Sequence, residues 1–380
     1  MSGPLNGLRF VEFAGIGPAP MAATLLADLG AEVIRIDRLT ASGIGIERPV
    51  EVDFVTRGRA SVALDLKSPE AVDLVMELIA GADGLLEGFR PGVMERLGLG
   101  PEPCLARNPR LAYGRVTGWG QDGPLAQTAG HDLTYLALTG VLNAIGRPGA
   151  APVPPVNLLG DYAGGSLFLV IGLLAAIQSA CVTGQGQVVD AAIVDGVNYL
   201  SLPMASLRAA GVSVSGRGEN LLDGGAPHYD SYICADGGYL AVAPIEGKFR
   251  RALLTGLGFD PGGFPDVTDR ANWPKARRLL AARIAERSRD DWAAVFAGSD
   301  ACATPVLDFD EAARDPHMLA RGGTIVVGGH PQPAVAPRFS RTQPDLPTPP
   351  QPRGAGAAAL AGWGIDPERL VRLRAGGVLA

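Results

Sequence analysis

The chain has 380 residues, 47% of them hydrophobic and 19% charged, with a net charge of −6 and a pI near 5.3. This composition excludes a disordered polymer and supplies a sizeable core. With no basic block to neutralise a phosphate backbone it also speaks against nucleic acid as a partner, and its length suits two domains.

Residues 8–13 read as a first strand, followed by Gly15-x-Gly17, a helix over 21–30 and a second strand over 31–37. This βαβ opening predicts a parallel sheet in an α/β fold. Gly15 and Gly17, with Asp37 as a ribose acid, suggest a dinucleotide fingerprint, but Pro20 stands at its third position. Pro18 and Pro20 also remove N–H donors, so a nucleotide-type fold without a dinucleotide site is expected. Arg38 follows the second strand at the ligand edge of such a sheet. Residues 39–56 read as a loop, 60–66 as a third strand, and 70–80 as a helix capped by Ser68 with Pro69 at its first position. A fourth strand from Gly84 ends in the turn Gly88-Phe89-Arg90-Pro91, Arg96 lies in a short helix over 92–97, and strand 111–117 closes on Gly118-Trp119-Gly120. Arg38, Lys67, Arg90 and Arg96 thus fall at or near strand ends. Solvated surface charge is the usual explanation, whereas several cations at one edge would suit a phosphorylated, nucleotide-like ligand.

Two polar groups then precede apolar, helix-like runs: His131 ahead of 132–142, and Asp161 ahead of 162–180, which carries no charge. A helix start has unpaired N–H groups and partial positive charge, which favour a neutral imidazole and an ionised carboxylate and can receive developing negative charge. If the two starts converge, the site has two proton carriers and an anion cradle. Asp161 equally suits a plain N-cap, and a single His before a helix is most often a satisfied residue. Residues 162–180 are long enough to span a bilayer but hold Gly164, Gly165 and Gly172 without an aromatic belt, so a central helix buried on all sides is expected.

Residues 184–195 read as a strand leading into a helix, after which composition shifts. Residues 211–225 form a Gly/Ser-rich crossover, and 227–243 a hairpin pattern around Ala235-Asp236-Gly237. Helices over 249–256, 273–286 and 290–298 and a strand-like 304–307 complete a smaller α+β domain. Residues 334–354 form a Pro-rich strap, followed by a weak helix around 367–374. Cys104, Cys181, Cys234 and Cys302 form no Cys-x-x-Cys pair and lie near no His at ligand spacing, so neither a metal site nor a disulfide framework is expected, and a reducing cytoplasm fits. The opening residues have neither the basic nor the apolar region of a signal peptide.

Taken together, the segments 29–37, 65–67, 87–93, 117–121, Gly130-His131-Asp132, 160–165, 224–227 and Ile245-Glu246 resemble the family III CoA-transferases, also called CaiB/BaiF. Within that group the chain is similar to the α-methylacyl-CoA racemase branch. The resemblance implies a large Rossmann-like CoA-binding domain over 1–200 completed by 331–380, a linker over 201–224, and a small α+β domain over 225–330. It implies an interlocked homodimer, with no nucleic acid, membrane or cofactor beyond the CoA of an acyl-CoA substrate. By the same resemblance Arg38, Leu64, Asp65, Leu66, Lys67, Glu87, Gly88, Phe89, Arg90 and Arg96 match the CoA-binding segments, and Gly130 to Tyr135 line the acyl end. The implied chemistry is inversion at C2 of a 2-methylacyl thioester. His131 would serve one face and Asp161, coupled to Glu246, the other, while the backbone N–H of Asp132 would bind the thioester oxygen. The rival is CoA transfer between acids, with Asp161 as nucleophile forming a mixed anhydride. A non-catalytic acyl-CoA carrier would leave three ionisable groups without a role.

Overall fold

The computed structural model describes residues 2–214 and 216–380. By Cα proximity the chain divides into two units: the residues up to Thr139 with Val156–Leu200 and Arg321–Ala380, and Gly140–Pro155 with Ser201–Ala320. Segment 201–224 therefore groups with the second unit, as does 140–155, while 321–330 groups with the first.

The first unit is built on six strands, β1 (Arg9–Phe13), β2 (Glu32–Arg38), β3 (Ala60–Leu64), β4 (Gly84–Glu87), β5 (Ala112–Thr117) and β6 (Gln187–Ala192), all paired in parallel. Their order, β3-β2-β1-β4-β5-β6, is the doubly wound order of nucleotide-binding folds. β1 and β4 are buried runs because helices cover both faces of the sheet. α1 (Pro18–Asp28) packs on one face; α2 (Pro69–Ala80) packs on the other, with the Ser68 hydroxyl accepting the Glu70 N–H at its start. α3 (Val93–Arg96) and α4 (Pro101–Arg107) follow β4. Loop 39–56 contains two short 3-10 turns, Val50–Val52 and Phe54–Thr56, that the polar, Gly-containing sequence did not reveal.

α5 (Asp132–Leu138) is shorter than its apolar run, because Gly140 adopts a left-handed φ of 79° just beyond it. Then comes a nine-residue π-helical stretch, Leu158–Ser166, continuing into α6 (Leu167–Thr183). Within one chain α6 is not buried on all sides as expected. Leu169, Val170 and Leu173 enter the core, whereas Ile171 is 62% and Val182 79% exposed. α7 (Ile193–Leu200) packs against the π-helical stretch, where a Cβ on Gly196 would lie 1.9 Å from the Gly164 carbonyl oxygen.

The chain's end covers the β3 edge. Gly356 donates to the Ser61 carbonyl at 2.8 Å, and Ala380 to that of Ala63 at 3.1 Å. An antiparallel hairpin, Thr324–Val327 with His330–Pro333, and a 3-10 helix, Ala357–Trp363, were not foreseen. Arg57 ties this return to α1, bonding Asp28 and the Gln332 side chain. Beside it Arg59 pairs with Glu12 at 2.6 Å, both side chains fully buried.

The second unit holds α8 (Leu202–Ala209), a three-stranded antiparallel sheet of β7 (Asp230–Ile233), β8 (Tyr239–Val242) and β9 (Ala303–Pro305), and the helices α9 (Gly247–Gly256), α10 (Trp273–Ile284) and α11 (Arg289–Phe296). Its core gathers Leu240, Leu253, Leu280, Trp292 and Phe296.

Candidate active site

β1 and β4 are neighbours in the sheet but not consecutive in the chain, so the loops leaving their C-terminal ends part and open a crevice. Loop 14–17 enters it from β1 and loop 88–92 from β4. Phe13 and Phe89 anchor the two exits edge to face, 6.4 Å between ring centroids.

α5 begins beside this crevice. His131 is its N-cap in extended conformation, held by its backbone: its N–H donates to Thr134 Oγ1 at 3.0 Å, and its carbonyl accepts the Thr134 N–H at 2.8 Å. The His131 side chain is exposed. One turn on, Tyr135 packs edge-on against Trp119, centroids 4.8 Å apart. Gly118 and Gly130 make room for its ring, since a Cβ would come 2.0 Å and 2.5 Å from it. Burial and the Asp161 charge push the Tyr135 phenol up to about 12, so it stays neutral.

Asp161 does not cap an α-helix. It is the fourth residue of the π-helical stretch, so its carboxyl is free of an N-cap's usual bond. The stretch is pinned by Ser166, whose hydroxyl donates to the Pro18 carbonyl at 2.8 Å. The Asp161 carboxyl faces Gly17, where a Cβ would lie 3.8 Å from Oδ2; Gly17 has a φ of 71°, which suits glycine. The second glycine of the Gly-x-Gly after β1 thus supplies a positive φ beside a carboxyl, a use its nucleotide-like pattern concealed.

Asp132 joins the two segments. Its buried carboxylate accepts the Asp161 N–H at 2.7 Å and also bonds the Gly160 N–H. A Cβ on Gly160 would fall 2.3 Å from Asp132 Oδ1, so residue 160 must be small. Burial is the first cause that raises the Asp161 pKa above the ordinary carboxyl value, and the Asp132 charge is the second. The Asn157 side chain and His131 oppose them. Asp161 is therefore pushed towards its protonated form, the reverse of the ionised state that a helix start would favour. The charge responsible is Asp132, a residue assigned only a backbone role from the sequence. No local pattern signals this contact.

The ligand-edge residues fall into two sets. Arg38, Lys67, Arg90 and Arg96 are exposed, and Asp65, Leu66 and Phe89 are partly so. Leu64 is in the core, with a backbone bridge to Leu379. Glu87 is fully buried and committed: one oxygen accepts the Phe89 N–H at 2.6 Å and the other the Arg115 side chain at 2.7 Å. It shapes the turn through Gly88 to Arg90. Glu246 belongs to the second unit as the exposed N-cap of α9, its carbonyl accepting the Arg250 N–H at 3.0 Å.

The arrangement supplies a basic nitrogen, a carboxyl held towards its acid form and the free N–H groups at the start of α5. It can move protons at a carbon next to a carbonyl.

The sequence pattern of CoA-transferase family III matches residues 5–356. The chain is 42% identical over 373 residues to an alpha-methylacyl-CoA racemase of Mus musculus, covering 97% of this chain and 96% of that one. It is 42% identical over 321 residues to the Homo sapiens protein of the same name, covering 84% and 82%. A crystal structure of a CaiB/BaiF family protein from Brucella suis superposes with a TM-score of 0.80 at 28% identity, covering 96% of this chain and all of that one.

Proposed function

This chain belongs to CoA-transferase family III, and from that premise we propose that it racemises 2-methylacyl-CoA thioesters at C2. The observation that carries the reading is the carboxyl of Asp161, pushed towards its acid form beside His131. A racemase needs one carrier deprotonated and one protonated, and this pair meets that need.

His131 takes the C2 proton from one face. The C–H electron pair moves into an enolate whose oxygen accepts the Asp132 backbone N–H at the start of α5. Asp161 delivers its proton to the opposite face, leaving a carboxylate, and the reverse reaction exchanges the roles. The C2 proton of a thioester is far less acidic than either carrier, so stabilisation of the enolate supplies most of the rate. Glu246 shares a hydrogen bond with protonated Asp161, contributed by the second unit of a partner copy in an interlocked homodimer. The apolar surface of α6 and α7, with Ile171, Val182 and Tyr199 exposed, supports such a partner. Arg38, Lys67, Arg90 and Arg96 bind the phosphates of CoA.

CoA transfer through an acyl-aspartyl anhydride requires an ionised Asp161 as nucleophile. Burial and the Asp132 charge work against that state. The experiment is to incubate one epimer of a 2-methylacyl-CoA in deuterated buffer without an acceptor acid. Deuterium at C2 with loss of configuration is expected. No deuterium, together with CoA exchange once an acid is added, would replace the racemase reading by the transferase one.

A further inference from the structure

The second unit holds a cavity of about 430 Å³ that the C2 chemistry does not use. Small-molecule sites run from about 300 to 1,000 Å³. Leu253, Phe264 and Leu280 give this one apolar walls. Its polar wall is built from His228, Arg250 and Arg251 at the start of α9.

Three features of that wall point to an anion with an apolar body. First, the two guanidinium groups converge: a Cβ on Gly247, the first residue of α9, would lie 3.6 Å from Arg250 Nη2 and 3.8 Å from Arg251 Nη1. The N–H groups of a ten-residue helix begin at the same point. Second, the positive charge is unspent. Among the described residues no carboxylate is ion-paired with either arginine, and Arg250 donates instead to the Ile245 carbonyl. Asp266 lines the cavity within electrostatic reach of Arg250, with Oδ1 taking the Thr268 N–H and hydroxyl at 3.0 Å and 2.8 Å, and it forms no ion pair with either arginine among the described residues. Glu246 and Lys248 flank the helix start, both exposed. Third, His228 is only 6% exposed and its buried Nδ1 has no hydrogen-bond partner among the described residues. Burial and the Arg250 charge bring its pKa down to about 4. A buried imidazole nitrogen without a partner, beside two guanidiniums that no carboxylate pairs among the described residues, favours an anionic ligand.

We propose that this cavity binds a free carboxylic acid with an apolar tail, its carboxylate held by Arg250 and Arg251 at the start of α9 and its tail against Leu253, Phe264 and Leu280. Such a ligand competes with the Ile245 carbonyl for Arg250. Binding therefore reaches the Ile245-Glu246 turn from inside the second unit. The site does not rest on the racemase reading: a chain that failed to invert C2 would still bind acid here, and a racemase could lack this site.

The test uses the full-length protein with CoA saturating the N-terminal crevice, and octanoate as probe in calorimetry. Octanoate is expected to bind with one site per chain and to raise the His228 pKa, read from imidazole NMR shifts. The Arg250→Gln/Arg251→Gln double variant should weaken binding at least 10-fold, and its unchanged circular dichroism would show that it folds. Octan-1-ol should bind far more weakly, and inorganic phosphate should not displace octanoate at equal concentration. No octanoate binding, equal binding of octan-1-ol, displacement by phosphate, full affinity in the double variant or an unmoved His228 resonance would each overturn the proposal.

Discussion

Asp132 Oδ1 accepts the backbone N–H of Asp161 at 2.7 Å, across 29 residues of chain. This one bond locks the start of α5 to the π-helical stretch, and the Asp132 charge helps raise the Asp161 pKa. Asp132 is thus both a mechanical link and an electrostatic one, and two substitutions separate those roles.

Asp132→Asn retains an acceptor oxygen but removes the charge, so the Asp161 pKa should fall. The limb of the pH–rate profile that requires protonated Asp161 should move to lower pH, with turnover at neutral pH reduced by about 10-fold or more. Asp132→Ala also orphans two N–H groups and should cost about 1–3 kcal/mol per lost bond, read by thermal denaturation. An Asn variant whose pH profile matches wild type would refute the electrostatic half.

His131→Ala should slow abstraction from one epimer by about 10²–10⁴-fold. Asp161→Asn should slow it from the other. Single-turnover deuterium wash-in from each pure epimer measures this asymmetry. Equal losses from both epimers in both variants would mean that the two side chains do not divide the faces of C2.

The stability of the protein should carry the signature of Asp161. Its folded pKa is raised, so its contribution is fully present below the unfolded pKa of about 4 and is lost as pH rises through the folded value. Asp161→Asn, neutral at every pH, should therefore gain stability relative to wild type as pH rises from about 4 to neutrality. Denaturant titrations across that range report the difference. A variant that loses relative stability with rising pH would show that the carboxyl is ionised in the fold.

Gly17→Ala should harm activity more than folding. The left-handed φ of 71° costs a Cβ about 1–2 kcal/mol. The methyl would also lie 3.8 Å from Asp161 Oδ2. A modest drop in Tm with a larger drop in kcat is expected, whereas a loss confined to KM would place Gly17 at the CoA end of the crevice.

Breaking the buried Arg59–Glu12 pair should be costly because both side chains have no exposure. Arg59→Met leaves Glu12 uncompensated and should destabilise by about 3–5 kcal/mol. The double variant Arg59→Met/Glu12→Gln should recover part of that, as chemical denaturation would show.

The sheet was legible because periodicity is local. Short apolar runs bounded by Gly, Pro or polar turn residues marked the six strands of the first unit, and Ser68-Pro69 marked the start of α2. The motifs 87–93, 130–132 and 160–165 likewise carried the family, since residue types at fixed spacing are a property of the chain alone. What tertiary structure decided were the partners of polar groups and the faces of apolar ones. Asp161 read as a helix start because a π-helical stretch differs from an α-helix only in bonds fixed by its neighbours. Here those bonds depend on the Gly196 approach and the Ser166 link to Pro18. α6 read as buried throughout because a run without charge says nothing about which side meets the core. Asp132 and Glu87 could have faced ligand or protein, and each is held by contacts that form only after the chain has folded. A side chain with several possible partners takes the one that packing brings within about 3 Å, and that choice lies outside any local stretch of sequence.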